Sequence, residues 1–140
     1  MTNRELVTAW FDQVWNHGDE SAIDRMMAPQ AKFHGLTPDG SPIVGPAGFK
    51  PFYRQMRQAF PDIRFELRRI ICEGDQVAVH CVVTGTHTGP GLGPQSTGAA
   101  VRVEGMAVAT VRDGRIAEGW NFFDFMTLYQ KVGLLPALAL

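Results

Sequence analysis

At 140 residues with 45% hydrophobic side chains, the chain can bury one core and is too apolar to be disordered. Thirteen Lys and Arg against fourteen Asp and Glu leave a formal net charge of -1, so no field favours nucleic acid or an anionic membrane. No stretch approaches the roughly eighteen consecutive apolar residues of a membrane helix. Met1 to Glu5 lacks the basic-then-apolar layout of a secretory leader, which points to a cytoplasmic home.

Thr2 and Glu5 form a capping-box pattern. Leu6, Val7, Trp10, Phe11, Val14 and Trp15 then recur at helical spacing up to Gly18. Asp19 caps a short second helix whose Ile23, Met26 and Met27 face inward, and Pro29 closes it. Residues 31–35 are a short strand, and residues 36–48, rich in Gly and Pro, are a loop. A third helix covers roughly Phe49 to Ala59, with Phe52, Tyr53, Met56 and Phe60 as its stripe. Pro61-Asp62 stops it.

Strand patterning follows. Residues 63–73 and 76–87 form a hairpin around Gly74-Asp75, and 100–112 and 115–124 another around Asp113-Gly114. The Gly/Pro-rich segment 88–98 between them serves either as lid or as connector. A helical piece near Phe125 to Val132 precedes an apolar tail, Leu134 to Leu140. Helices first and an antiparallel sheet second make this an α+β fold, with three N-terminal helices packed on a sheet in one domain over residues 1–140.

Strict alternation in the first hairpin puts Phe65, Leu67, Ile71, Ala78 and Val82 on one face and Ile70, Cys72, Val77, Val79, Cys81 and Val83 on the other. Two apolar faces need two covers. Helices supply one. A second copy of the chain, or the tail folded back, supplies the other. Cys72 falls opposite Val77 and Cys81 opposite Arg68, too far apart along the ladder for a disulfide. Both read as small buried apolar residues. No Cys/His spacing indicates a metal site.

In the second hairpin, a two-residue turn places Val111 opposite Ile116, Ala107 opposite Trp120, Gly105 opposite Phe122 and Val103 opposite Asp124. Trp120, Phe122 and Asp124 then share a face beside small partners, the lining of an apolar pocket. Asn121, Phe123 and Met106 take the other face. Trp10, Trp15, Phe52, Tyr53 and Met56 are candidates for the pocket mouth or for plain core. Two roles are open to Asp124. Among aromatics it is desolvated, its pKa raised, and suited to proton transfer. At the start of the last helical piece it is a cap, bonding the amides of residues 126–127. His17 is a solvated helix-end residue. His80 and His87 face opposite sides of one strand. His34 or His87 could polarise a carbonyl or shuttle a proton, and each could equally be structural.

Several segments together resemble the SnoaL-like polyketide cyclase family. They are Val14-Trp15-Asn16-His17-Gly18-Asp19, Phe33-His34-Gly35, Gly48-Phe49-Lys50 with Phe52-Tyr53, and Ala59-Phe60-Pro61-Asp62. Glu73-Gly74-Asp75 with Val77-Ala78, and Gly85-Thr86-His87-Thr88-Gly89, continue the likeness. Arg112-Asp113-Gly114-Arg115-Ile116 with Glu118, Trp120 and Asp124 closes it. The resemblance implies a nuclear-transport-factor-like cone of helices on a bent antiparallel sheet with a deep pocket. It implies ring closure by intramolecular aldol condensation without metal or cofactor. It also implies that Asp124 is the acid/base. Two positions depart from the family pattern. Met106 stands where such cyclases carry a polar residue, commonly histidine, and His80 where relatives carry arginine.

The expectation is therefore a cofactor-independent cyclase or isomerase acting on a small apolar carbonyl compound. Its catalytic residues are Asp124, His87 and His34, and Trp15, Phe52, Met56, Trp120 and Phe122 bind the substrate. A non-catalytic module that holds a small hydrophobic ligand is the alternative. The partners expected are that ligand and further copies of the chain in a homodimer or higher homo-oligomer, with no nucleic acid or membrane.

Overall fold

Thr2 Oγ1 accepts the Glu5 amide at 3.1 Å and the Glu5 carboxylate accepts the Thr2 amide, so the predicted capping box starts the first helix. This helix, α1, is Asn3–Ala9 in a computed structural model that describes residues 1–139. Beyond Ala9 the winding loosens into π-helical turns over Trp10–Asn16. The wider turns keep Trp10, Phe11, Val14 and Trp15 all buried on one side. Asn16 ties the segment to the sheet: its Nδ2 donates to the Phe65 carbonyl and its Oδ1 accepts the Phe65 amide at 2.7 Å.

Helix α2, Ser21–Met26, runs directly into strand β1, Met27–His34, which starts earlier than predicted. Pro29 therefore lies in a strand. It has no amide to give a ladder, and β1 has irregular register between Met27 and Lys32. The predicted loop contains a two-residue strand, β2 (Ile43–Val44), and α3 begins at Gly45 and ends at Ala59. Strands β3 (Arg64–Glu73), β4 (Gln76–Thr86), β5 (Ala100–Arg112) and β6 (Arg115–Phe123) form the two predicted hairpins. Helix α4 is Phe125–Lys131.

The six strands form one sheet in the order β2-β1-β6-β5-β4-β3. Neighbours are antiparallel except β1 and β6, which run parallel. Helices α1 to α3 pack on the inner face, so the α+β cone is the observed architecture. Two bulges shape the sheet. Arg68 is an extra residue in β3, because Leu67 pairs with Cys81 and Arg69 with His80. Ala117 is an extra residue in β6, because Ile116 pairs with Val111 and Glu118 with Thr110. A bulge bends its strand and inverts the side-chain parity beyond it.

That inversion corrects the predicted faces. Phe65 and Leu67 join Val79, Cys81 and Val83 on the inner face, while Ile71 and Ala78 stay outside. Cys81 is buried as expected, and burial pushes its thiol up to about 12. Cys72 is exposed instead, close to the tip of its hairpin. The tail turns back onto the Tyr129 carbonyl, with Leu134 beside Gly93. It leaves Ile71, Met106, Trp120 and Phe122 exposed on the outer face. Leu140, the last residue of that tail, lies outside the described residues. No helix among the described residues is long and apolar enough to cross a membrane.

Candidate active site

The inner face of the sheet and the helices do not close completely on each other. Between them lies an apolar cavity with about 750 Å³ of empty space, part of it open solvent. Trp10, Phe11 and Trp15 form one wall, and Phe49, Phe52 and Met56 of α3 another. Phe65, Val83, Val101, Val103, Asn121 and Phe123 rise from the sheet, and Phe125 and Leu128 of α4 border it. The rings hold one another. Trp15 lies 5.0 Å from Phe65 and 6.3 Å from Phe52, and Trp10 lies 5.3 Å from Phe49, in tilted or edge-on contacts. Such packing makes a firm, apolar, aromatic wall.

Of the predicted substrate-binding residues, Trp15, Phe52 and Met56 line this cavity. Trp120 and Phe122 do not. They project from the outer face, 43% and 72% exposed. The Ala117 bulge is the reason. It shifts the pairing by one, so Ala107 meets Asn121, Gly105 meets Phe123, and Met106 meets Phe122. Gly105 still serves as the small partner of an aromatic, but that aromatic is Phe123. Tyr53 is core rather than lining: its hydroxyl donates to the Val14 carbonyl at 2.8 Å.

The two candidate histidines are also elsewhere. His34 lies on the outer face, with Nε2 2.7 Å from Glu118 Oε2 and its ring stacked 3.8 Å from Trp120. Beyond the irregular stretch of β1, Ala31 and Phe33 face inward and Lys32 outward, so Phe33 takes the place in the cavity that His34 was expected to fill. His87 is fully buried but does not border the cavity. Its Nδ1 accepts the Thr97 amide at 3.2 Å, and its Nε2–H donates to the Leu92 carbonyl at 3.0 Å. Held at both ring nitrogens, His87 fastens the segment 88–98 to the core. His87→Ala should leave this segment unfastened. Limited proteolysis is expected to nick it between residues 88 and 98 at least about tenfold faster than in the wild type, where an unchanged rate would assign the fastening to Leu92 packing alone.

Asp124 takes the capping role. Its Oδ1 accepts the Thr127 amide at 3.0 Å and its Oδ2 the Thr127 hydroxyl at 2.6 Å, at the first turn of α4. The side chain is exposed, so the expected desolvation is slight. The Thr127 hydroxyl first, and its amide second, hold the carboxyl below the ordinary aspartate range. This reverses the direction expected from the aromatic neighbours. Asp124 nevertheless borders the cavity, and it is the only ionisable residue among the described ones that does. No group of three His, Cys, Asp or Glu among the described residues is placed to hold a metal.

Asn121, like Phe123, is a cavity residue that alternation assigned to the wrong face. A signal for it exists in the sequence. With strict alternation from the buried Ile116, Glu118 would point into the core, where an unpaired carboxylate is costly. An extra residue between them turns Glu118 outward and Asn121 inward.

The SnoaL-like polyketide cyclase family matches residues 5–132. The chain belongs to this family. Solved structures agree with the placement. IdmH, a candidate polyketide cyclase from Streptomyces antibioticus, superposes with a TM-score of 0.81 at 27% identity, covering 95% of this chain and 99% of that one. A candidate SnoaL-like polyketide cyclase from Jannaschia sp. CCS1 gives 0.83 at 26% identity, covering 96% and 93%. AclR of Streptomyces galilaeus, described as a candidate hydroxylase, gives 0.83 at 28% identity, covering 98% and 84%. No curated protein matches the chain. Within the SnoaL-like frame, the departure at Met106 falls on the outer face, opposite Phe122, and takes nothing from the cavity.

Proposed function

We propose that this SnoaL-like protein is an acid/base enzyme of cyclase type for a small, flat, largely apolar carbonyl compound, without a cofactor, with Asp124 as the group that moves the proton. One observation carries this reading: among the described residues Asp124 is the single ionisable one on a largely apolar and aromatic cavity wall. Its bonds to Thr127 narrow the chemistry. A carboxylate held below its ordinary pKa is ionised at neutral pH but is a weak base. It can take a proton only from carbon already acidified, as between two carbonyls. The carbanion then attacks a second carbonyl of the same molecule, and the protonated Asp124 returns its proton to the new alkoxide. The test is solvent deuterium uptake at C2 of an aryl β-keto ester, followed by NMR for wild type and Asp124→Asn.

A second reading is a module that holds its ligand without turnover. It is favoured by the engagement of both Asp124 oxygens by Thr127. Equal deuterium uptake in wild type and Asp124→Asn would select it.

The chain is also expected to self-associate through the outer face of the sheet. Ile71, Met106, Trp120 and Phe122 form an exposed apolar group there. Around it, Glu104 and Glu118 stand beside His80 and His34 at 3.0 and 2.7 Å, with Arg69 bonded to His80. Mixed signs of this kind suit a second copy turned about a two-fold axis better than a partner of one charge. Phe122→Glu should raise the dimer dissociation constant at least about tenfold in sedimentation velocity. A wild type that sediments as a clean monomer at micromolar concentration would sink the idea.

A further inference from the structure

Asn121 presents a polar atom to the cavity, and a neighbour determines which atom it is. Its side-chain nitrogen donates to the His34 carbonyl at 2.9 Å. A carbonyl only accepts, so the nitrogen must lie on that side and Oδ1 on the other. The pairing of Asn121 with Ala107 turns it inward with Phe123, and it borders both the main cavity and a smaller apolar recess behind it. No side chain of the described residues donates to Oδ1. Yet no sealed side-chain oxygen or nitrogen among the described residues lacks a hydrogen bond. Oδ1 therefore touches open space, and the spaces that Asn121 borders are the main cavity and the recess behind it. The other polar wall residues do not compete. Thr84 pairs with Arg64 and Arg102 at positions whose side chains face outward, and the Asp124 oxygens are engaged by Thr127.

We infer that Asn121 recognises the polar end of the ligand: Oδ1 accepts a hydrogen bond from a hydroxyl that the ligand brings into the aromatic cavity. The ligand class is a flat apolar molecule with an O–H donor, either a phenol or the enol form of a 1,3-dicarbonyl. An acceptor in an apolar wall is left unpaired by a ligand lacking the donor, and that ligand binds more weakly, by roughly tenfold for one neutral hydrogen bond. This rests on the cavity being a ligand site, but not on Asp124 performing chemistry.

Equilibrium dialysis of three probes tests it: 1-naphthol, which has the donor; 1-methoxynaphthalene, which keeps the oxygen but not the donor; and naphthalene. Wild type is expected to bind 1-naphthol roughly tenfold more tightly than the other two. Asn121→Leu should bring the three to near parity while retaining affinity for naphthalene, which shows that the cavity survives. Asp124→Ala, which removes the neighbouring acceptor, should keep the preference. Equal binding of naphthol and its ether by wild type overturns the inference, even if Asn121→Leu fails to fold, and leaves the cavity as a ligand site. A preference that survives in Asn121→Leu, or vanishes in Asp124→Ala, overturns it too. Failure of all three probes to bind wild type overturns both this inference and the proposed function. Loss of the Asp124 dependence of deuterium uptake, with the naphthol preference intact, removes only the catalytic reading.

Discussion

Deuterium uptake by an aryl β-keto ester should fall to the buffer rate in Asp124→Asn, at least about a hundredfold below wild type, the usual contribution of a positioned base. The substitution isolates chemistry from structure. Asparagine is as good a helix cap as aspartate, and its amide oxygen can still accept from Thr127. The thermal midpoint should therefore move by no more than about a degree or two. The pH profile carries the sign of the pKa shift. Thr127 holds the carboxyl below the ordinary aspartate range, so the base is already ionised in mildly acidic solution. Uptake should be flat from there through neutrality and decline only at lower pH. Thr127→Val removes the hydroxyl, the largest of the lowering causes, and should move that decline to higher pH. A decline centred near neutrality in wild type would contradict the observed environment of Asp124. Its stability contribution has the same sign: a depressed carboxyl stabilises the fold above its unfolded value and loses that contribution as pH falls through the folded one.

Gly105→Ala should be the most costly single methyl added at the site. A Cβ built on Gly105 would meet the Phe123 ring at 2.1 Å, with Cγ at 2.6 Å, so the near end of the side chain and not its tip is in the way. Phe123 would have to swing into the cavity, away from its edge-on contact with Phe65. Overpacking of this kind costs roughly 1–3 kcal/mol, which lowers the melting midpoint of a domain this size by about 5–10 °C. It should also weaken naphthalene binding, because the displaced ring occupies the ligand's space. Adding Phe123→Leu to Gly105→Ala should recover part of the midpoint, a coupling that neighbours show and distant sites do not. The experiment also tests register. Were Gly105 paired with Phe122, as plain alternation has it, Phe123 would point away from the added methyl and Phe123→Leu would recover nothing.

Much of the architecture was legible because it rests on local chemistry. The capping box at Thr2 and Glu5, the stripe from Leu6 to Trp15 and the Asp113-Gly114 turn each act over a few residues. Asp113 and Gly114 both take positive φ, 53° and 74°, as that turn requires. The aromatic wall was legible in part, since Trp15, Phe52 and Met56 hold places that helical spacing predicts. The β1–β6 parallel pair was not, because no local signal ties residues so far apart in the chain. Asp124 was visible as a residue with two roles. Its neighbours in sequence, Phe122 and Phe123, suggested desolvation, but in space they point to opposite faces and leave the carboxyl open to Thr127 and solvent.

The chain's own pattern thus determined an α+β fold of helices on a sheet, an apolar interior rich in aromatics, and an aspartate at the end of the last strand. What only the tertiary structure decided is which residues of that strand see the ligand. Alternation has a period of two, so one extra residue at Ala117 reverses every side chain after it. The carboxylate of Glu118 favours that reversal, since it gains His34 and solvent in place of an apolar core. One bulge therefore moves Trp120 and Phe122 outside and brings Asn121 and Phe123 to the cavity.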